Sequence, residues 1–275
     1  MNKTNIEWTN FTSNPLKYRR KSDGKVVWAC VKKSTGCSRC YAEAIALRFE
    51  RGKLFNAKNM EELEPFLDEK ELRSMRTYKP ASGKRCFVGD MTDIFGEWVP
   101  DNLLDELFSS VLEIRTDVTW QLLTKRAERM RKYLYCRWGH DGRTKYRNIH
   151  IGVSVEDQAK ADERVTNLLR TPATVRFLSC EPLLGPVNLE RFLQFDPFHD
   201  NYKMTFGMNE WRGVDLVIVG GESGHGARPM NPDWARSIRD QCKEADNVSF
   251  FMKQMSGRAE IPEDLFIREF AEEIR

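Results

Sequence analysis

Three cysteines stand close together in WACVKKSTGCSRCYAEAIALRFE (28–50): Cys30, Cys37 and Cys40, spaced C-x6-C-x2-C ahead of a stretch with helical pattern. Thiolates are soft ligands suited to zinc, copper(I) and iron–sulfur clusters. Two cysteines three apart turn around one centre, and a third beyond the longer gap closes a triangle. Structural zinc wants four ligands, commonly two C-x2-C pairs or one such pair with a paired H-x3-5-H. Here His140, His150, His199 and His225 are scattered, and Cys86, Cys136, Cys180 and Cys242 stand singly on segments able to bury them. Three ligands without a fourth leave one coordination position open, which is what a reactive [4Fe-4S] cluster needs. Zinc and ordinary buried thiols remain the alternatives.

Such a site needs elements to hold it. Short apolar runs recur at RCFVGDM (85–91), DVTWQLLT (117–124), NIHIGVSV (148–155), TVRFLSCEP (174–182), VDLVIVGG (214–221) and VSFFMKQ (248–254), and read as strands. Amphipathic stretches alternate with them, among them PDNLLDELFSSVLEI (100–114), with Asp101 as its expected cap, and NPDWARSIRDQCKEAD (231–246). Alternation of this kind predicts right-handed crossovers and a parallel sheet. Counting the N-terminal segment, about six or seven β/α units make a single α/β domain over 1–275, a partial or full (β/α) barrel, with an open doubly wound sheet as second choice.

In either fold, functional groups gather where strands end and loops begin. The residues at those points are Gly89 and Asp90, Thr124 and Lys125, Ser154, Glu181, the run Gly220-Gly221-Glu222-Ser223, and Lys253. Glu181 and Lys253 each break an apolar run and are the candidate catalytic pair. The glycine amides of GGES are candidates to face a carboxylate or phosphate, with Glu222 taking an ammonium or ribose hydroxyls; a plain tight turn is the alternative. Cys180 reads as a buried thiol.

The cysteine cluster ahead of a helix, at the start of a β/α series, resembles the radical S-adenosylmethionine superfamily. More narrowly, IEWTNFTSNP, TGCSRCYAEAIALRF, QLLTKRAERM, IGVSVEDQ, RFLSCEPLLGPV, VIVGGESGHGARPMNPDWARSIRDQC and FFMKQ resemble the phage-associated three-Cys-motif family. The resemblance implies that Cys30, Cys37 and Cys40 hold a [4Fe-4S] cluster whose open iron binds S-adenosylmethionine, with reduction by an external electron donor. It also implies that Gly89-Asp90 occupies the place where the cofactor's amino group is held. Against the superfamily's usual C-x3-C-x2-C, this chain has a longer first gap, and Arg39 stands where an aromatic residue is customary.

The stretch KRAERMRKYLYCRWGHDGRTKYR (125–147) carries nine Lys/Arg against two acidic residues, with Tyr133, Tyr135, Trp138 and Tyr146 interleaved, and KYRRKSDGK (17–25) is a second basic patch. Cations neutralise phosphates and rings stack on unpaired bases, so a nucleic acid or nucleotide is the expected substrate, with a solvated helix face as the alternative. A metal-bearing module that binds nucleic acid or recruits a partner protein without catalysis is the second functional reading. Seven cysteines without an apolar leader predict a reducing, cytoplasmic setting. No run of about 18 apolar residues exists, so no membrane span is expected. Segment 190–212 interrupts the β/α rhythm and is a candidate lid over the site or an insertion that pads the barrel.

Overall fold

Each of the six apolar runs forms a strand. They are β6 (Lys84–Val88), β7 (Val118–Thr124), β8 (Ile149–Ser154), β9 (Val175–Cys180), β10 (Leu216–Gly220) and β11 (Ser249–Gln254). The computed structural model describes residues 1–50, 53–79, 83–139, 145–193, 213–224 and 226–271. Strand β2 (Phe11–Ser13) leads the series, and seven parallel strands follow one another in chain order, β2-β6-β7-β8-β9-β10-β11. The short β1 (Asn2–Lys3) pairs antiparallel to the outer edge of β2. An order without reversal excludes the doubly wound alternative, which requires a switch point. The eight-stranded sheet curls into a half-barrel, so the partial barrel is the form adopted.

Side chains alternate across this sheet as the pleat requires. Cys86, Val88, Leu122, Ile151, Val153, Leu178, Val217 and Met252 join the main core on the convex side. There they meet α4 (Asp101–Leu107), α5 (Ala127–Trp138), α6 (Gln158–Leu169) and α8 (Pro232–Glu244), through Leu104, Leu134, Val165 and Ile238 among others. Phe87, Phe177, Leu216, Ile218 and Phe251 point to the concave side, where Trp8 packs on them in a second core. Both faces are covered, which explains strands of nearly continuous apolar sequence.

Helix starts follow local chemistry. Asp157 caps α6 by accepting from the Lys160 amide at 2.9 Å, and Asn231 caps α8 by accepting from the Asp233 amide at 2.9 Å. Asp101 does not cap α4: Pro100 holds the cap position, and Asp101 lies inside the first turn, paired with Arg129 at 2.7 Å. Proline pre-sets the extended φ there, so a side-chain cap is not required for the helix to begin.

Between β2 and β6 the chain inserts a second, three-stranded antiparallel sheet that the β/α rhythm does not predict: β3 (Leu16–Arg20), β4 (Val26–Val27) and β5 (Leu63–Leu67). The basic patch 17–25 is its β3–β4 hairpin, and its charges are answered nearby, Lys17 by Asp68 at 2.9 Å and Arg20 by Asp23 at 2.8 Å. The same insertion carries the cysteine loop, α1 (Tyr41–Glu50), α2 (Ala57–Met60) and α3 (Glu69–Thr77). Of the candidate lid, α7 (Glu190–Leu193) is seen, and 194–212 lies outside the described residues. No helix among the described residues is long and apolar enough to cross a membrane.

Candidate functional site

A cavity of about 520 Å³ opens at the C-terminal ends of the parallel strands. That volume is in the range of small-molecule sites. Its wall includes Cys30, Cys37 and Cys40. It also includes Asp90 after β6, Lys125 after β7, Ser154 of β8, Glu181 after β9, Glu222 and Ser223 after β10, and Lys253 of β11. Residues scattered over more than 220 positions meet here because every parallel strand delivers its C-terminal end to the same side.

The cysteine loop is held across the mouth by two struts. Thr35–Cys37 forms a tight 3-10 turn. Before it, Ser34 Oγ donates to Glu156 Oε1 at 2.5 Å, and Arg228 Nη2 donates to the Thr35 carbonyl at 3.1 Å. Gly36 approaches so closely that an added Cβ would stand 2.4 Å from the Glu156 side chain. Glu156 itself is fully buried, 3.2 Å from Lys125 Nζ and 2.9 Å from Arg164 Nη1. Burial alone would raise its pKa, but those two cations hold its carboxyl below the usual range.

The thiols make only weak local contacts: Cys30 Sγ lies 3.8 Å from the Val31 carbonyl, and Cys37 Sγ accepts from the Lys33 amide at 3.5 Å. Cys30 and Cys40 pack with Met91, Phe55 and Ala42. Burial, with Asp93 nearby, pushes the Cys30 thiol up to about 12, and burial raises that of Cys40. Neutral thiols of this kind become thiolates only if a positive centre compensates, as a metal does. Among the described residues no three His, Cys, Asp or Glu side chains converge as a ready-made metal site. The donor set nonetheless fits a soft metal centre: three free thiols from one loop share one cavity, and no fourth cysteine or histidine among the described residues lines it. The other four cysteines stand elsewhere, with Cys86, Cys180 and Cys242 buried and Cys136 exposed on α5.

The predicted polar residues divide into committed and available groups. Thr124 is committed, its Oγ1 lying 2.7 Å from Asp93 Oδ1 and accepting from the Arg126 amide at 2.9 Å. Glu222 is committed to Arg228, whose amide donates to Oε2 at 2.8 Å and whose Nε donates to Oε1 at 3.1 Å. Burial opposes ionisation of Glu222, yet these bonds hold its carboxyl below the ordinary range. Gly220 and Gly221 do not line the cavity, and the Gly221 amide is spent on the Gln254 carbonyl of the neighbouring strand at 3.0 Å, so it is not free to face an anion. Gly89 is also outside the wall; it takes a positive φ of 85°, and a Cβ there would meet Ile94 at 2.7 Å. It makes the turn that presents Asp90.

Asp90 keeps one carboxylate oxygen on Asn14 at 2.7 Å, and burial raises its carboxyl above the usual range. Glu181 and Lys253 form an ion pair inside the cavity, with Gln254 Nε2 3.4 Å from Glu181 Oε1. The two candidate catalytic residues, 72 positions apart, are therefore one unit.

Among the wall residues not singled out as site residues by sequence are Trp8, Arg39 and Ser179. Trp8 belongs to the IEWTN segment, whose single aromatic gave no chemical signal. Ser179 had one: in VRFLSC it shares a face with Phe177, and it is the register partner of Ser154.

The basic stretch 125–147 behaves differently from the expectation. Tyr133 and Trp138 are buried, donating to Asp105 at 2.9 Å and Glu113 at 2.8 Å, and Tyr146 packs on Trp138 with ring centroids 5.0 Å apart. Of the four interleaved rings, only Tyr135 is exposed. Residues 140–144 lie outside the described residues.

No curated protein and no solved structure matches the chain. A family model described as "Protein of unknown function (DUF5131)" matches residues 3–263, nearly the whole length, and the chain belongs to that family.

Proposed function

We propose that the protein is an iron–sulfur enzyme of the radical S-adenosylmethionine type that modifies a nucleotide or nucleic acid. The observation that carries this reading is the sharing of one cavity by three free cysteines, with no fourth cysteine or histidine among the described residues of its wall, at the strand ends of a parallel half-barrel. Cys30, Cys37 and Cys40 would hold a [4Fe-4S] cluster and leave one position for S-adenosylmethionine. Bound there and reduced by an external donor, the group would supply one-electron chemistry to the S-adenosylmethionine sulfonium.

The chain's own residues orient and shield. Asp90 follows β6 in the cavity wall, next to Met91, and would receive the cofactor's ammonium, which its second carboxylate oxygen suits. Glu156 and Arg228 fix the cysteine loop across the mouth. The Glu181–Lys253 pair is placed to hold or exchange a proton with a substrate bound beside it at the β8–β11 ends. Phe87, Leu123 and Trp8 floor the cavity and exclude water from it.

Oxygen-free protein reconstituted with iron and sulfide is expected to be brown and to contain about four irons per chain. With a strong reductant it should release 5′-deoxyadenosine from S-adenosylmethionine. Cys30→Ala should lose the colour and the iron. A colourless, zinc-loaded protein that still binds nucleic acid would overturn the radical reading in favour of a non-catalytic metal module.

A further inference from the structure

The cavity is continuous from the end of β6 to that of β11, and the cysteine chemistry takes only its β6 side, or lobe. Cys30 and Cys40 pack with Met91 on the β6 side, close to Asp90. The other lobe lies over β8 to β11. Its wall holds Ser154 and Ser179, the Glu181–Lys253 pair, and Arg39, whose Nη1 leans within 2.7 Å of the position a Cβ on Gly226 would take. The charge of Arg39 is also felt at Glu222, after β10.

Ser154 and Ser179 are register partners on adjacent strands, 4% and 2% exposed. Neither hydroxyl has a hydrogen-bond partner among the described residues, although both line the cavity. Both hydroxyls open onto the cavity, so two side by side without a protein partner are available to a ligand that supplies one. Each hydroxyl both donates and accepts, which suits a ring edge with alternating heteroatoms. The floor beneath them is Phe87, Leu123, Ile6 and Trp8, all apolar, with the Trp8 and Phe87 ring centroids 4.8 Å apart and the rings tilted by 43°.

Arg39 completes the pattern. The other cations of the wall are neutralised: Lys125 by Glu156, Arg126 by Asp93 and Glu97, Lys253 by Glu181. Arg39 has no carboxylate partner among the described residues. A guanidinium fork at the mouth of an apolar-floored cavity is suited to a phosphate.

From these juxtapositions we infer that the β8–β11 lobe is a subsite for a nucleoside phosphate, its base edge on Ser154 and Ser179 and its phosphate on Arg39. The assignment rests on reading this cavity as the substrate site of the proposed enzyme, but not on any step of its radical chemistry. Free mononucleotides and an unstacked nucleotide within a single strand present the same groups.

Calorimetric titration of the full-length, cluster-loaded protein distinguishes these sources. The probes are deoxynucleoside 5′-monophosphates, the matching nucleosides, a mixed-sequence single-stranded oligonucleotide and S-adenosylmethionine. We expect either the monophosphates or the oligonucleotide to bind, and the better of the two names the source. Arg39→Ala should weaken that binding roughly tenfold or more while leaving nucleoside affinity unchanged. The double variant Ser154→Ala/Ser179→Ala should weaken nucleotide and nucleoside alike, also by roughly tenfold, with S-adenosylmethionine affinity kept. The assignment is overturned if neither nucleotide probe binds, if both variants bind as well as wild type, or if the serine variant loses S-adenosylmethionine instead. Nucleotide binding without 5′-deoxyadenosine release would keep the subsite and remove the radical reading; release without nucleotide binding would do the reverse.

Discussion

Helix α5 and the cavity beside it carry the same kinds of side chain and use them in opposite ways. On α5, Arg129 donates to the Val99 carbonyl and Asp101, Arg131 to Asn167, and Arg137 to both oxygens of Glu113 and to Asp105. Tyr133 and Trp138 lend their polar tips to the same carboxylates. Basic and aromatic density there is consumed in fastening α5 to α4 and the turn after it. In the cavity, Arg39, Ser154 and Ser179 have no protein partner among the described residues, and the thiols have only weak ones. Residual hydrogen-bonding capacity, rather than the density of charge along the chain, marks the place where a ligand belongs.

Glu156 is where the two regimes meet, and it carries the largest expected effect. It is fully buried and answers Arg164, whose Nε and Nη2 are buried without partners, as well as Lys125 and Ser34. Glu156→Ala strands a buried guanidinium, and the expected loss is about 3–5 kcal/mol of unfolding free energy in urea. A loss below about 1 kcal/mol would mean that water reaches Arg164 and that the cavity wall is less closed than its geometry implies.

His150 gives the next effect, on the concave face below the cavity. Burial, with Arg85 nearby, pushes its pKa down to about 4, and its Nε2 is buried without a partner. The unfolded chain takes up a proton at about 6.5 that the native state refuses, so stability is full above that pH and falls as pH drops toward 4. At about 1.4 kcal/mol per unit, His150 accounts for about 2 kcal/mol of loss between pH 7.5 and pH 5. Urea midpoints at the two pH values should converge in His150→Leu; an unchanged slope would assign the acid sensitivity to other groups.

The strands were legible because a sheet buried on both faces writes itself as apolar runs, and VTWQLLT or VRFLSC is hard to read otherwise. Chain-order topology followed, and with it the meeting of Asp90, Lys125, Ser154, Glu181 and Lys253 at one end. What period and polarity do not encode is pairing. Thr124 and Glu222 lie at the predicted end yet are committed to Asp93 and Arg228, and the Gly221 amide is spent on the Gln254 carbonyl of β11. The second sheet was hidden for a different reason: β3 and β5 are separated by more than 40 residues, and β4 is two residues long. Arg39 drew notice only as a departure from a cysteine pattern, whereas its position on the Gly226 loop is a tertiary fact.

Arg137 and Arg39 sharpen the comparison at the smallest scale, because they are the same residue type in the two regimes. Arg137→Ala removes a bidentate bond to Glu113 and leaves the Phe108 ring it covers more open, at an expected cost of about 1–3 kcal/mol. Nucleotide affinity should not change, since every contact of Arg137 is spent inside the fold. Arg39→Ala should do the reverse, moving stability by no more than about 0.5 kcal/mol while the affinity for a phosphate-bearing ligand falls. Measuring both variants by urea unfolding and by titration gives a crossed pattern that general destabilisation does not produce, because instability would lower binding in Arg137→Ala first. If the two variants instead behave alike in both assays, the division between satisfied and available groups fails, and with it the reason for placing a ligand against Arg39.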